Sequence, residues 1–93
     1  MDKSNSPGAS DALTRAVELL AVGSWQPAHE IVQKETSTLA AWLHGIVHIL
    51  EGDLDNARGW YRRADRVFPG AGAVQEEIAA ARFAVQERRD ASP

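Results

Sequence analysis

Three histidines are the residues of this chain whose type and spacing could bind a metal ion. His44 and His48 are four residues apart in a helical segment, so their imidazoles share one face, which is a known metal-ligand spacing. His29 lies in the preceding helical segment, and Glu51 follows His48 by one turn. If successive helices stack as hairpins, we expect His29 to face His44. These four residues could therefore bind zinc, nickel or copper.

A second interpretation of the histidines stays open, because an interhelical imidazole often only hydrogen-bonds a carboxylate or a carbonyl. The His-Glu-x-x-His motif of metalloproteases is absent. The chain has no cysteine, which excludes disulfides, thiolate zinc sites and a cysteine nucleophile. We recognise no serine or lysine nucleophile constellation and no phosphate-binding glycine loop. We therefore expect a protein that is not an enzyme and has no resident cofactor.

Acidic residues cluster around Gly52, where Glu51, Asp53 and Asp55 could hold a cation or take part in acid–base chemistry. Helix capping explains the same spacing more simply, with Asp53 as the N-cap of the following helix. Acidic residues in a first turn complement the helix dipole by roughly 0.3–1 kcal/mol each. We favour the capping interpretation.

An arginine stripe runs along the fourth helical segment, with Arg58, Arg62 and Arg66 at intervals of four. Such a stripe could contact phosphate or an acidic peptide, and we include Arg58 and Arg62 among the candidate binding residues. A solvated face, paired with Glu76 and Glu77 of the next helix, is the more usual role of such a row. The net charge of -3 argues against a nucleic-acid partner.

The elements that must position these residues are helices. Apolar residues recur at spacings of three and four in five segments, and nothing alternates with a period of two, so we predict an all-α fold. Gly23, Gly52 and Gly70 mark helix ends, and the fifth helix is expected from about 72 to 90. With 93 residues, the chain should form one domain over 11–90 after a disordered tail at 1–10.

The chain also contains an internal repeat. A shift of 29 residues places Gly23 on Gly52 and Ala28 on Ala57, which indicates two copies of a helical hairpin.

The second copy resembles a tetratricopeptide repeat. It has a small residue in its first helix, a Gly-Asp turn, and then Ala, an aromatic residue, Ala and Pro, namely Gly45, Gly52, Asp53, Ala57, Tyr61, Ala64 and Pro69. The first copy departs from the family pattern at Glu35. The resemblance covers residues 11 to about 88. It implies a right-handed array of two antiparallel helical hairpins with a C-terminal capping helix.

A narrower resemblance links the chain to a family of small uncharacterised bacterial proteins. The segments that carry it are 25–29, 48–57 and 60–64.

The tetratricopeptide-like resemblance implies that the first helix of each hairpin lines a groove for a peptide or a partner helix. In the third helix the candidate binding residues are Trp42, Ile46, Ile49 and Leu50. Our first functional hypothesis is therefore a non-catalytic interaction module that binds a peptide or a second copy of itself. A core role for these four residues, covered by the last helix or a second protomer, stays open.

The alternative hypothesis is a small ligand- or metal-binding protein that uses His29, His44, His48 and Glu51, with hydrolytic activity as a variant. The N-terminal region lacks the apolar segment of a secretory signal, and no apolar run is long enough to span a bilayer. We therefore expect a cytoplasmic protein without a membrane partner.

Overall fold

The computed structural model describes residues 9–90, which form five α-helices and contain no strand. Their bounds are α1 Ala9–Ala21, α2 Trp25–Val32, α3 Thr38–Glu51, α4 Leu54–Arg63 and α5 Val74–Asp90, with a short 3₁₀ turn at Ala71–Ala73 before α5. The all-α prediction is confirmed. Helix α1 begins two residues earlier than the expected domain boundary, and the rest of the expected tail, residues 1–8, lies outside the described residues. None of the described helices has the length and apolar character needed to cross a membrane.

Local sequence signals determine where α3 and α4 begin and end. The Ser37 side chain accepts a hydrogen bond of 3.0 Å from the Ala40 N–H, as an N-cap does. Gly52 ends α3 with a φ of 92°, a left-handed conformation that glycine adopts without a steric penalty. Asp53 then caps α4 by accepting from the Asn56 N–H. The predicted capping role of Asp53 is confirmed.

Helix α3 is the centre of the fold. It contacts each of the other four described helices, and every residue from 40 to 49 is buried. Helices α1 and α2 pack together as one hairpin, α3 and α4 as a second, and α2 also packs on α3. A helix that is apolar around most of its circumference requires cover on every side, and this arrangement supplies it.

A close approach of α3 and α4 occurs at Gly45. A Cβ atom at this position would lie 2.6 Å from Cδ1 and 2.7 Å from Cε1 of the Tyr61 ring. Tyr61 is completely buried, so its ring has little room to move. The small residue therefore sets the spacing of this helix pair, as the repeat pattern predicted.

Helix α5 packs mainly against α1 and α3. The side chains of Ile78, Ala81 and Val85 are buried on its inner face. On its solvent side, Arg82 Nε donates a hydrogen bond of 2.9 Å to Glu18 on α1. The last helix thus lies over the first helices of both hairpins.

Glu77 connects α5 to the second hairpin. Its Oε1 accepts hydrogen bonds from Tyr61 Oη at 2.7 Å and from Trp42 Nε1 at 3.0 Å. Burial and this hydrogen bond raise the pKa of Tyr61, so the phenol stays protonated and remains a donor. The Glu77 carboxylate therefore accepts hydrogen bonds from two donors that would otherwise lie under α5 without an acceptor.

We predict that Gly45→Ala destabilises the protein by about 1–3 kcal/mol, because the new methyl group overlaps the Tyr61 ring. Gly59→Ala is the matched control: Gly59 also lies within a helix, and a Cβ there meets nothing within 4 Å. It should stabilise α4 by up to about 1 kcal/mol. Urea unfolding followed by circular dichroism measures both changes, and equal shifts for the two variants would contradict the close approach.

We also predict that Glu77→Ala lowers the free energy of unfolding by about 2–3 kcal/mol, because it leaves the Tyr61 and Trp42 donors without an acceptor. Glu77→Gln keeps an acceptor oxygen and should cost about 1 kcal/mol. Glu76→Ala removes an exposed neighbouring carboxylate and should change stability by less than about 0.5 kcal/mol. Equal losses for the Ala and Gln variants at 77 would refute the acceptor role.

Candidate metal centre

The three histidines lie together in one cluster, which we call the histidine triad: His29 on α2, and His44 and His48 on α3. Nε2 of His29 and Nε2 of His44 are 3.0 Å apart. The ring centroids are separated by 4.7 Å for His29 and His44, 5.3 Å for His29 and His48, and 5.1 Å for His44 and His48. One ring nitrogen of each residue lies within 4.8 Å of one from each of the other two. The expected proximity of His29 and His44 is confirmed.

Burial distinguishes the histidine triad from surface histidines. His44 is 5% exposed and His48 is 7% exposed, while His29 is half-buried. Buried imidazoles need hydrogen-bond partners, because a polar group without one is costly to remove from water. No buried side-chain nitrogen or oxygen of the described residues lacks such a partner.

The contact between His29 and His44 shares one proton. At 3.0 Å, one Nε2 carries the hydrogen and donates it, and the other Nε2 accepts it. Burial, followed by the nearby His29, His48 and Arg63, lowers the pKa of His44 from 6.5 to about 4. His44 is therefore a neutral imidazole at neutral pH.

Glu51 lies one turn after His48 and contacts its ring directly. Its Oε1 lies 2.7 Å from Nδ1 of His48, with which it forms a hydrogen bond. This contact assigns the ring proton to Nδ1 and leaves Nε2 of His48 with a free lone pair. In this structure Glu51 orients His48 through that hydrogen bond.

Trp60 is partly buried and has a specific neighbour in the histidine triad. Its ring stacks on His44 with 3.7 Å between centroids and 8° between planes. Arg63 lies over the same indole, 4.7 Å from its centroid. A signal for this contact exists in the sequence: His44 precedes Gly52 by eight residues and Trp60 follows it by eight, so the two face each other across the hairpin.

A second cluster, formed by His48, Glu51 and Asp53, also brings three potential ligand atoms within 4.8 Å of one another. Two of its three residues, Glu51 and Asp53, are exposed, and both already have roles in the fold. Glu51 binds His48, and Asp53 caps α4. The histidine triad is thus the better-formed candidate.

The apolar residues predicted to line a groove belong to the core. Trp42, Ile46 and Ile49 are each no more than 6% exposed, and Leu50 is half-buried against the core. Helices α1 and α5 cover this side of α3. Of the two roles that the sequence left open, the core role therefore describes Trp42, Ile46 and Ile49 within this chain.

The arginine stripe is exposed, but only Arg58 and Arg62 lie on α4, which ends at Arg63, so the stripe predicted along one helix is interrupted before Arg66. Arg58 pairs with Asp55 at 3.3 Å, and its guanidinium lies 5.0 Å from the Phe68 ring centroid. Arg66 lies over the Trp42 ring, 3.4 Å from its centroid. Glu77 takes its hydrogen bonds from Tyr61 and Trp42 instead of from an arginine.

Arg62, the middle residue of the predicted stripe, is exposed on α4. It remains a candidate binding residue on the sequence pattern alone.

We predict that the metal-free protein loses about 2 kcal/mol of stability between pH 7 and pH 5 through His44. The unfolded chain takes up a proton near the ordinary pKa of 6.5, whereas folded His44 does so only near 4. Between these values the unfolded state binds more protons, so stability is fully present above pH 6.5 and falls as the pH decreases.

Urea unfolding at several pH values in the presence of a chelator tests this pH dependence. His44→Gln, which cannot titrate, should show a shallower decline over the same range. If the free energy of unfolding declined equally with pH in the wild-type protein and in His44→Gln, the assignment to His44 would be contradicted.

Comparison with known protein families, with curated proteins and with solved structures finds no match to this chain. The resemblances noted from the sequence therefore stay predictions, and the chemistry of the histidine triad carries the functional interpretation.

Proposed function

We propose that this protein binds a divalent transition-metal ion through the histidine triad, with Zn²⁺ as the first candidate. The observation that supports it best is the convergence of three imidazole nitrogens within 4.8 Å in a largely buried cluster. A tetrahedral Zn²⁺ with Zn–N bonds of about 2.0–2.1 Å needs ligand nitrogens about 3.3 Å apart. The 3.0 Å between Nε2 of His29 and Nε2 of His44 is close to that requirement.

The positions of the ring hydrogens of His29 and His44 in the metal-free state support the proposal. One of the two Nε2 atoms of His29 and His44 carries the hydrogen of their contact. For both Nε2 lone pairs to become ligands, that hydrogen would move to Nδ1 of the same ring by exchange with solvent, and both imidazoles would stay neutral. The low pKa of His44, about 4, means that no further proton competes for that residue at neutral pH.

Glu51 supports the proposal from outside the ligand set. A metal-binding histidine usually donates its other ring N–H to a carboxylate or a carbonyl, which fixes the ring and raises its basicity. Glu51 accepts from Nδ1 of His48 at 2.7 Å in this way. His48 is thus oriented before any ion binds.

Three protein ligands leave one position of a four-coordinate ion for an exogenous ligand. Structural zinc sites are usually closed by four protein side chains, whereas open positions are typical of sites where a ligand exchanges. We therefore propose reversible binding of the ion and assign no reaction to it.

The hypothesis of an interaction module has less support than the sequence suggested. It depended on exposure of Trp42, Ile46 and Ile49, which are buried under α1 and α5. We propose instead that α1 to α4 form a tetratricopeptide-like pair of hairpins and that α5 occupies the side where such a pair would bind a peptide. The contact of Gly45 with Tyr61 and the packing of α5 on α1 and α3 support this relation.

We predict that Zn²⁺ at 100 times its dissociation constant stabilises the protein by about 2.7 kcal/mol, since it binds the folded state. For a domain of this size, that corresponds to a rise in melting temperature of about 10 °C or more. Thermal unfolding with and without Zn²⁺ measures the shift, and the visible spectrum of the Co²⁺-substituted protein reports tetrahedral geometry. His44→Gln and His48→Gln should each remove the shift.

Asp53→Asn is the matched control for this experiment. Asparagine keeps the N-cap of α4 but removes the carboxylate of the second cluster, so the zinc-induced shift should be unchanged. A shift that Asp53→Asn removes would assign the metal to the second cluster. The absence of any shift in the wild-type protein would refute the proposed function.

A further inference from the structure

A polar cleft lies beside the histidine triad. It has a volume of about 340 Å³, within the range of small-molecule sites, and is formed by the end of α2, the segment before α3, the first turns of α3, and α4. The lining residues used below are Glu35, Ser37, His44, Trp60 and Arg63.

His44 is the link between this cleft and the proposed metal ligands. Its Nε2 is occupied by His29, and the described residues offer its Nδ1 no hydrogen-bond partner. No buried side-chain nitrogen of those residues is left without a partner, so Nδ1 is accessible to solvent. His44 is one of the residues that line the cleft.

The ring proton of His44 then belongs on Nδ1 whenever Nε2 acts as a ligand or as an acceptor. His48, the other ligand on α3, has its N–H satisfied by Glu51. The corresponding N–H of His44 has no protein acceptor among the described residues, and His44 lines a cleft large enough for a ligand. A hydrogen-bond acceptor from solution would give the N–H of His44 a partner, as Glu51 does for the N–H of His48.

The charges around the cleft favour an anionic acceptor. The Arg63 guanidinium lies over Trp60, which itself stacks on His44, so a fixed positive charge stands next to the cleft. The first turn of the 14-residue helix α3, capped by Ser37, adds the positive end of a helix dipole. Glu35 is the carboxylate among the lining residues, and its negative charge opposes the effect of Arg63 and of the helix dipole.

We propose that this cleft binds a small oxyanion, a phosphate or a carboxylate, which accepts the Nδ1–H of His44 and contacts Arg63. Bound there, the anion selects the His44 tautomer that directs the Nε2 lone pair at the metal position. Anion and metal therefore bind cooperatively, each raising the affinity for the other by the same factor. The cooperativity rests on the proposed function, whereas anion binding itself does not require a metal.

The first experiment measures anion binding to the metal-free protein by calorimetry in the presence of a chelator, with sulfate, inorganic phosphate and malonate as probes. Loss of a charge-assisted hydrogen bond should weaken binding about tenfold or more in Arg63→Gln. Arg88→Gln removes an exposed charge on α5 that does not line this cleft, and should change affinity less than about twofold. Tighter phosphate than malonate binding indicates a phosphate ligand, and the reverse order indicates a carboxylate.

Failure of all three anions to bind the wild-type protein, or equal binding by Arg63→Gln, would overturn the proposal. Glu35→Gln should tighten sulfate binding because it removes a like charge from the cleft. Weaker sulfate binding in this variant would show that Glu35 takes part in holding the probe, and would also overturn the proposed arrangement.

The second experiment measures the dissociation constant of Zn²⁺ with and without saturating sulfate, an anion that coordinates zinc weakly. Sulfate should tighten zinc binding at least about fivefold in the wild-type protein. In Arg63→Gln, sulfate should leave the dissociation constant of Zn²⁺ unchanged. If zinc binds but sulfate does not alter its affinity, the cooperativity is refuted. If zinc does not bind at all, the proposed function fails, while the metal-free titration still decides whether the cleft binds an anion.

Discussion

The burial of helix α3 is the constraint on which the rest of the structure depends. Ten consecutive residues, 40 to 49, have no substantial contact with water, and each of the other described helices covers part of their surface. Two of these residues, His44 and His48, are polar and need partners inside the fold. His29 on α2 and Glu51 at the end of α3 supply them. The packing that buries α3 therefore also assembles the histidine triad, and the core and the candidate site form together.

Features set by local chemistry could be predicted from the sequence. The roles of three residues depend only on neighbours close in the sequence, through a cap hydrogen bond or a left-handed φ: Ser37, Gly52 and Asp53. Their residue types therefore indicate those roles. The approach of His29 to His44 required one additional assumption, the stacking of successive hairpins, and that assumption placed the two rings correctly.

Features set by distant packing could not be predicted in this way. The apolar pattern of α3 is the same whether a partner or the chain's own last helix covers it, so spacing alone could not tell that α5 buries Trp42 and Ile46. Glu77 looked like a surface partner for arginine because its two donors, Tyr61 and Trp42, approach it only in the folded chain. The stacking of Trp60 on His44 depends on their equal distance from Gly52, a relation across the hairpin turn that helical periodicity within one segment does not reveal.

The packing of α5 on α1 has a consequence for how cooperatively the protein unfolds. In an open helical array each repeat touches only its neighbours, so stability is nearly a sum of adjacent terms and the ends can fray independently. Here Arg82 and Glu18, 64 positions apart, join the last helix to the first, and the same two helices pack on each other along the core. Such ring-like connectivity turns a linear stack into a single cooperative unit. Adding further hairpins would then have to break an existing interface before it could lengthen the fold.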